Sequence, residues 1–224
     1  MNPLVSVVIP ARNSEKTLAN SLQSVFNQSY ENTEVIVVVN GSSDSTLEVA
    51  KSFGDRRLRV IESSPGIVPA LNAGLRLARG KYIARQDADD EWLQEKLKKQ
   101  VEFLEREEVD VLGTQMFVRE GKKETITSYP LLHQECTEWL FRGHNPIGHP
   151  SVVFRSRLLE KVGGYWELFP FAEDLDLWMR MLPHSRLSNL NEPLMIYNHT
   201  KNVNYNHETP LLVSRFYSQI YRRV

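Results

Sequence analysis

The sequence predicts an α/β protein: a mostly parallel, doubly wound sheet flanked by helices in a single domain. Three observations carry this. Runs rich in β-branched residues recur along the first half and are almost continuously apolar, as strands buried on both faces must be. The segments between them place apolar residues at helical spacing, and strand alternating with helix is the mark of parallel crossover units. The 224 residues suit one sizeable domain, with no internal repeat and no Gly-, Ser- or Pro-rich linker to divide it.

The elements follow in order. Residues 5–9 (VSVVI) and 34–39 (EVIVVV) are the first two strands. Between them Leu18, Leu22, Val25 and Phe26 recur at helical spacing, and Ser14 is placed to cap the start. The run 40–44 is dense in turn formers, and 46–53 reads as a helix. A short strand at 59–61 precedes a helix opened by Pro69, carrying Leu71, Leu75 and Ala78 and ended by Gly80. Residues 81–85 form the next strand and run straight into Asp87-Ala88-Asp89-Asp90. A long amphipathic helix is expected from Glu91, with Leu93, Leu97, Val101 and Leu104 inward. The second half is less regular: strands at 109–118, 151–154 and 194–197, and helices at 134–141, 174–182 and 209–221. Thr209-Pro210 is an N-cap and N1 pair for the last of these.

Composition narrows the function classes. Lys plus Arg number 27 against 28 Asp plus Glu, without the basic excess of a general polyanion binder, so no nucleic-acid partner is expected. A single cysteine, Cys136, excludes an internal disulfide framework and a Cys-rich zinc site. The first strand begins almost at Met1, leaving no room for a signal peptide, and the longest apolar run, 35–39, falls far short of the ~20 residues of a spanning helix. A reducing, cytoplasmic setting is the expectation.

Ligands of open α/β sheets bind beyond the carboxyl ends of the strands. Three polar clusters fall there: Pro10-Ala11-Arg12-Asn13, Asn40 to Asp44, and Asp87-Ala88-Asp89-Asp90. None contains a GxGxxG or GxxxxGK[ST] pattern. Three carboxylates crowded into the last cluster repel one another, and an oxygen-loving divalent cation such as Mg²⁺ or Mn²⁺ relieves that cost. The competing reading is that Asp90 merely caps a helix starting at Glu91. A second acidic cluster, Glu173-Asp174-Leu175-Asp176, opens a helix next to Phe169 and Phe171. Aromatic surroundings raise a carboxylate's pKa and suit a general base, while helix capping explains at least one of these acids equally well. His149 and His199 are further candidates, with no zinc spacing between them.

Taken together, these stretches resemble the inverting glycosyltransferases of family 2, whose fold is the Rossmann-like GT-A type. Residues 5–13 are similar to the family's opening strand and nucleotide loop, and 70–84, with Asn72, to the segment before its metal motif. Asp87-Ala88-Asp89-Asp90 resembles the DxD motif, Asn145-Pro146-Ile147-Gly148-His149-Pro150-Ser151 and Gly163-Gly164-Tyr165 a further familiar stretch, and Glu173-Asp174 the ED motif.

The resemblance implies a nucleotide-sugar donor, a UDP-sugar first among them, in an amino-terminal half (1–118), and a glycan or lipid-linked acceptor in a second half (119–208). Donor contacts are implied at Pro10, Ala11, Arg12, Asn13, Asn40, Asn72, Asp87, Ala88 and Asp89. Asp87, Asp89 and His199 would hold Mn²⁺ or Mg²⁺, and Asp174, with Glu173 beside it, would be the catalytic base. One departure stands out: where the family usually shows Asp-Asp-Gly-Ser, this chain has Val39-Asn40-Gly41-Ser42, which bears on how the base of the nucleotide is read. A non-catalytic nucleotide-sugar binder on the same fold and a nucleotidyltransferase remain as alternatives. In the last segment (209–224), Leu212, Phe216 and Ile220 make an apolar stripe near Arg215, Arg222 and Arg223. Such a helix packs on its own domain or on a second subunit, or lies on the inner face of an anionic membrane.

Overall fold

In the computed structural model, which describes residues 2–169, 171–199 and 208–221, one nine-stranded mixed sheet has helices packed on both faces. The strand order β3-β2-β1-β4-β8-β6-β9-β5 uses β1 (Val5–Ala11), β2 (Thr33–Asn40), β3 (Leu58–Ser63), β4 (Tyr82–Arg85), β5 (Glu91–Trp92), β6 (Val111–Glu120), β8 (Val153–Arg155) and β9 (Leu187–Asn198). β7 (Lys123–Ile126) hangs off β6 as a hairpin.

The parallel half matches expectation: β1 pairs with β2 and β4, and β2 with β3, all parallel. Beyond β4 the sheet is mixed rather than parallel, because β8 runs antiparallel between β4 and β6 while β6 and β9 run parallel.

Strand alternation distributes the core. Val5, Val7 and Ile9 of β1 pack with Leu18, Leu22 and Val25 of α1 (Leu18–Phe26) and with Leu97, Val101 and Leu104 of α4 (Lys96–Arg106). Val8 points to the other face, against Leu71 of α3 (Ile67–Leu77). That second core continues through Leu140 of α5 (His133–Phe141), Trp178 of α7 (Glu173–Met181) and Val213 of α8 (Glu208–Tyr221). α2 (Thr46–Ser52) and the single turn α6 (Leu159–Val162) complete the helices.

Four local expectations are corrected. Ser14 does not cap α1 through its side chain; its hydroxyl donates to the Arg12 carbonyl (3.1 Å), and its own carbonyl accepts the Leu18 N–H (2.9 Å). Gly80 does not end α3, which stops at Leu77; a Cβ there would stand 2.6 Å from the Ser6 nitrogen, so the glycine admits the backbone of β1. Glu91 and Trp92 are strand, pairing with Ile196 and Met195, and the helix begins only at Lys96. Thr209 lies inside α8, which already includes Glu208.

The stripe read on α8 is real but faces outward. Val213 and Tyr217 are buried against the domain, while Leu212, Phe216 and Ile220 are exposed. Arg222 and Arg223 lie outside the described residues, as do Thr200 and Lys201. Among the described residues, no helix is long and apolar enough to cross a membrane.

Candidate active site

The parallel strands deliver two polar loops to one edge. After β1, Asn13 adopts a left-handed conformation (φ 51°), which Asn tolerates better than most residues. Its side-chain oxygen accepts the Ser43 N–H (2.9 Å), and its own N–H donates to the Ser42 hydroxyl (3.1 Å). The Ser14 N–H donates to the Thr46 hydroxyl (2.7 Å), so the loops after β1 and β2 are stitched together.

Within this edge, Pro10 and Ala11 are buried in β1 and offer only their backbone. Arg12 and Asn13 are exposed. Val39 belongs to the core, and Asn40 is buried with its amide donating to the Ala11 carbonyl (3.1 Å). No acid takes the place of the missing pair: Asp44, further along, is already bound by the Thr46 N–H (3.1 Å) and the Glu15 N–H (3.1 Å).

The acid loop leaves β4 with alternating exposure. Asp87 and Asp89 are partly exposed, whereas Ala88 and Asp90 turn into the protein. Several hydrogen bonds fix the loop backbone: the Ser21 hydroxyl donates to the Asp87 carbonyl (2.9 Å), the Gln86 amide to the Asp90 carbonyl (2.8 Å) and the Asn198 amide to the Asp89 carbonyl (2.6 Å). Asp90 is therefore no helix cap. One of its oxygens accepts the Asn198 N–H (2.8 Å); the other is buried without a hydrogen-bond partner among the described residues. Burial, then the Asp87 charge, pushes Asp90 up to about 9, and the same two causes raise Asp89.

Arg85, at the end of β4, is buried and paired with Asp87. Asp87 and Asp89 thus offer two partly exposed carboxylates beside the one unpartnered buried oxygen of Asp90. Mg²⁺ and Mn²⁺ favour oxygen donors, and Mg²⁺ is commonly held by one or two protein carboxylates with phosphate and water completing the shell. The donor chemistry fits.

His199 does not join them. Among the described residues no group of three His, Cys, Asp or Glu side chains is placed to hold an ion. Asn198 takes the contacts to Asp89 and Asp90, while the His199 ring lies 6.1 Å from that of Tyr197 and its N–H continues the ladder to Arg119 (2.9 Å).

The second acidic cluster opens α7. One Asp174 oxygen accepts the Leu175 N–H (2.7 Å), the other the Asn145 side-chain amide (2.5 Å), and His149 Nδ1 stands 3.9 Å from that second oxygen. Burial, then repulsion from Glu173, pushes Asp174 up to about 7; burial also raises Glu173. Of the aromatic residues expected to supply this environment, Phe171 lines the same cavity as Asp174 and Phe169 packs against the second core. Phe171 is 69% exposed in a left-handed conformation (φ 64°), strain of the kind that clusters at ligand sites. Buried His149 and Tyr165 line the interior side, with His149 Nε2 2.8 Å from the Tyr165 hydroxyl. Burial holds His149 well below its usual value, hence neutral.

A cavity of about 400 Å³ unites these parts. Arg85, Asp87, Asn145, His149, Phe171, Glu173 and Asp174 all line it, with Met116, Tyr129 and Tyr197. The first acid of one motif and both acids of the other therefore share one space; Asp89 and His199 are not among its lining residues.

Asn72 has a different position from the expected one. Its amide nitrogen donates to the Tyr165 carbonyl (2.8 Å) and its oxygen accepts the Tyr165 N–H (2.9 Å), clamping the 163–165 loop onto α3. Sequence reasoning missed Arg85, Asn145 and Tyr165. For Arg85 a signal existed: a charged residue ending an otherwise apolar strand, two positions before the acids.

Comparison with known proteins places this geometry. The model of the family described as glycosyl transferase family 2 matches residues 6–163. The UDP-Glc:alpha-D-GlcNAc-diphosphoundecaprenol beta-1,3-glucosyltransferase WfaP of Escherichia coli is 35% identical, over 80% of this chain and 70% of its own length. The crystal structure of S. aureus TarS 1–349 in complex with UDP-GlcNAc superposes with a TM-score of 0.78 at 23% identity, covering 96% of this chain and 65% of that one. The mannosyltransferase PcManGT from Pyrobaculum calidifontis in complex with GDP-Man and Mn²⁺ gives a TM-score of 0.73 at 21% identity, over 99% and 65%.

Proposed function

The chain belongs to glycosyl transferase family 2 and is a sugar-transferring enzyme of GT-A fold, and from that premise we propose a metal-dependent, inverting transfer from a nucleoside-diphosphate sugar to an acceptor hydroxyl. The observation that carries this reading is the shared cavity, which sets a half-buried carboxylate pushed up to about 7 in one space with the Arg85–Asp87 pair. Family membership favours sugar transfer over the nucleotidyltransferase and the non-catalytic binder.

Asp174 accepts the proton of the acceptor hydroxyl. The freed oxygen bonds to the anomeric carbon as the bond from that carbon to the phosphate oxygen breaks, and the nucleoside diphosphate leaves with the electron pair. A single in-line displacement inverts the anomeric centre. Asp87 and Asp89 would hold Mn²⁺ or Mg²⁺, which supplies Lewis-acid stabilisation of the departing diphosphate when bound. Arg85 holds the Asp87 carboxylate in place and adds positive charge on the same side. Arg12 and Asn13, exposed beside β2, are the donor-facing groups of the first edge; Pro10 and Ala11 shape it through the backbone, and Asn40 through its side-chain amide on the Ala11 carbonyl.

Donor and metal are tested together. UDP-glucose with Mn²⁺ is expected to raise the melting temperature of the wild type, because ligand bound only to the folded state stabilises by mass action. Asp89→Ala should lose the Mn²⁺-dependent part of that shift. An Asp89→Ala protein that responds to Mn²⁺ like wild type removes Asp89 from the metal site.

The acceptor is proposed to be lipid-linked, like the diphosphoundecaprenol acceptor in the name of WfaP. The outward stripe of α8 supports this, since its Phe216 ring meets that of Phe169 (5.8 Å), close in sequence to the cavity residue Phe171. On this reading α8 lies on an anionic membrane. Wild type should co-float with phosphatidylglycerol vesicles and Phe216→Glu should not. A wild type that stays off vesicles but scatters light as a dimer would assign the stripe to a second copy.

A further inference from the structure

We propose that Asn145 is a positioning residue for the transfer, holding the Asp174 carboxylate in a fixed orientation with its free lone pairs toward the cavity. This rests on the reading of Asp174 as the base. The argument starts from what a carboxylate needs: a base that must meet an incoming hydroxyl cannot be left to rotate, and rotation is stopped only when both oxygens are bound. The first is held by the Leu175 N–H of its own helix (2.7 Å), which any residue at that position would supply. The second depends on one side chain from another part of the chain, the Asn145 amide at 2.5 Å.

That segment is itself braced. The Asn145 oxygen accepts the Ile147 N–H (3.3 Å), which sets the amide so that its nitrogen faces Asp174. Four residues after Asn145, His149 contacts the Tyr165 hydroxyl (2.8 Å), and the Tyr165 backbone is clamped on both sides by Asn72 of α3. A chain of contacts thus runs from the donor-side helix to the base. An amide donor suits the place, because it binds the ionised carboxylate without bringing a charge of its own.

The groups facing Asp174 are few: Glu173 from its own helix, Arg85 from β4, His149 from the turn after Gly148, and Tyr165 from the loop after α6. Among the described residues, only Asn145 donates a side-chain hydrogen bond to it. Removing that donor withdraws support from the ionised form alone, so the carboxyl should bind its proton more tightly.

The test reads this directly, without a substrate. Protein labelled with ¹³Cγ-aspartate is titrated from about pH 4 to about pH 10, and the Asp174 signal is identified by its loss in Asp174→Asn. The wild-type midpoint is expected at about 7. Asn145→Ala should raise it by about one pH unit, about a tenfold gain in proton affinity. Asn145→Asp, which keeps the volume, should raise it as well by setting a second carboxylate against the first, and decides alone if the alanine variant does not fold. An unchanged midpoint in the folded variants overturns the proposal. The reading beneath it fails separately, if Asp174→Asn still transfers sugar.

Discussion

Asp174→Asn should reduce sugar transfer by about 10²- to 10⁴-fold, the usual contribution of a general base. The change is close to isosteric, so the amide still accepts the Leu175 N–H through its oxygen, and UDP-glucose with Mn²⁺ should shift the melting temperature as it does in wild type. The pH dependence follows from the cause of the shifted pKa. Burial disfavours the charged carboxylate and pushes it up to about 7, so the wild-type rate should climb as pH rises through 7 and level off above.

Stability runs the other way. The folded protein holds this proton more tightly than the unfolded chain, so the group's contribution is complete below the ordinary aspartate range and is lost as pH rises toward 7. At pH 8 the neutral Asn variant escapes this burial cost, but its amide nitrogen then faces that of Asn145, donor against donor. A variant with near-wild-type transfer would remove Asp174 from the chemistry.

The second large effect is expected two positions on. Asp176 is fully buried; one oxygen accepts both Arg180 Nε (2.9 Å) and Nη2 (2.7 Å), and the other accepts the Tyr217 hydroxyl (2.7 Å). The Arg180 guanidinium also donates to the Val162 carbonyl (2.7 Å) and lies over the Trp166 ring at 4.2 Å. Asp176→Ala strands this buried cation, and removing one partner of such a pair typically costs ~3–5 kcal/mol. Urea unfolding should show it as a large drop in the midpoint. A cost below about 1 kcal/mol would mean that the pair only decorates the fold. The acid cluster at the start of α7 thus divides its labour: Asp174 faces the cavity, and Asp176 locks α7 to α8.

Much of this was legible where one element decides the outcome alone. β1, β2 and β4 announce themselves because strands covered on both faces must be apolar throughout, and the acids after β4 must then fall at a strand end. Legibility failed where a distant partner decides. Glu91 and Trp92 continue smoothly into a helical pattern, yet Ile196 and Met195 recruit them into the sheet. The first part of β9 is polar (SNLNEP) and reads as a loop, although it pairs with the interior strand β6 across two register shifts. β7 is exposed along its length and leaves no pattern at all.

The same divide runs through the site. The two acidic motifs could be read from local crowding of charge. Arg85 pairs with Asp87 within the same strand end, whereas Asn145 grips Asp174 only once the fold brings segments 29 residues apart together. His199 shows the reverse: a residue in a suggestive place whose ring packs beside that of Tyr197.

The acid loop is fastened by a residue made more than a hundred positions later: Asn198 binds Asp89 and Asp90, at sequence separations of 109 and 108. Ser21 and Gln86 hold the Asp87 and Asp90 carbonyls from within the first half, but the Asn198 bonds need β9 in place. Domains acquire structure from the amino terminus during synthesis, but contacts of such range close late and slowly. The proposed metal-binding loop is therefore complete only once the strand that carries Asn198 is docked beside it.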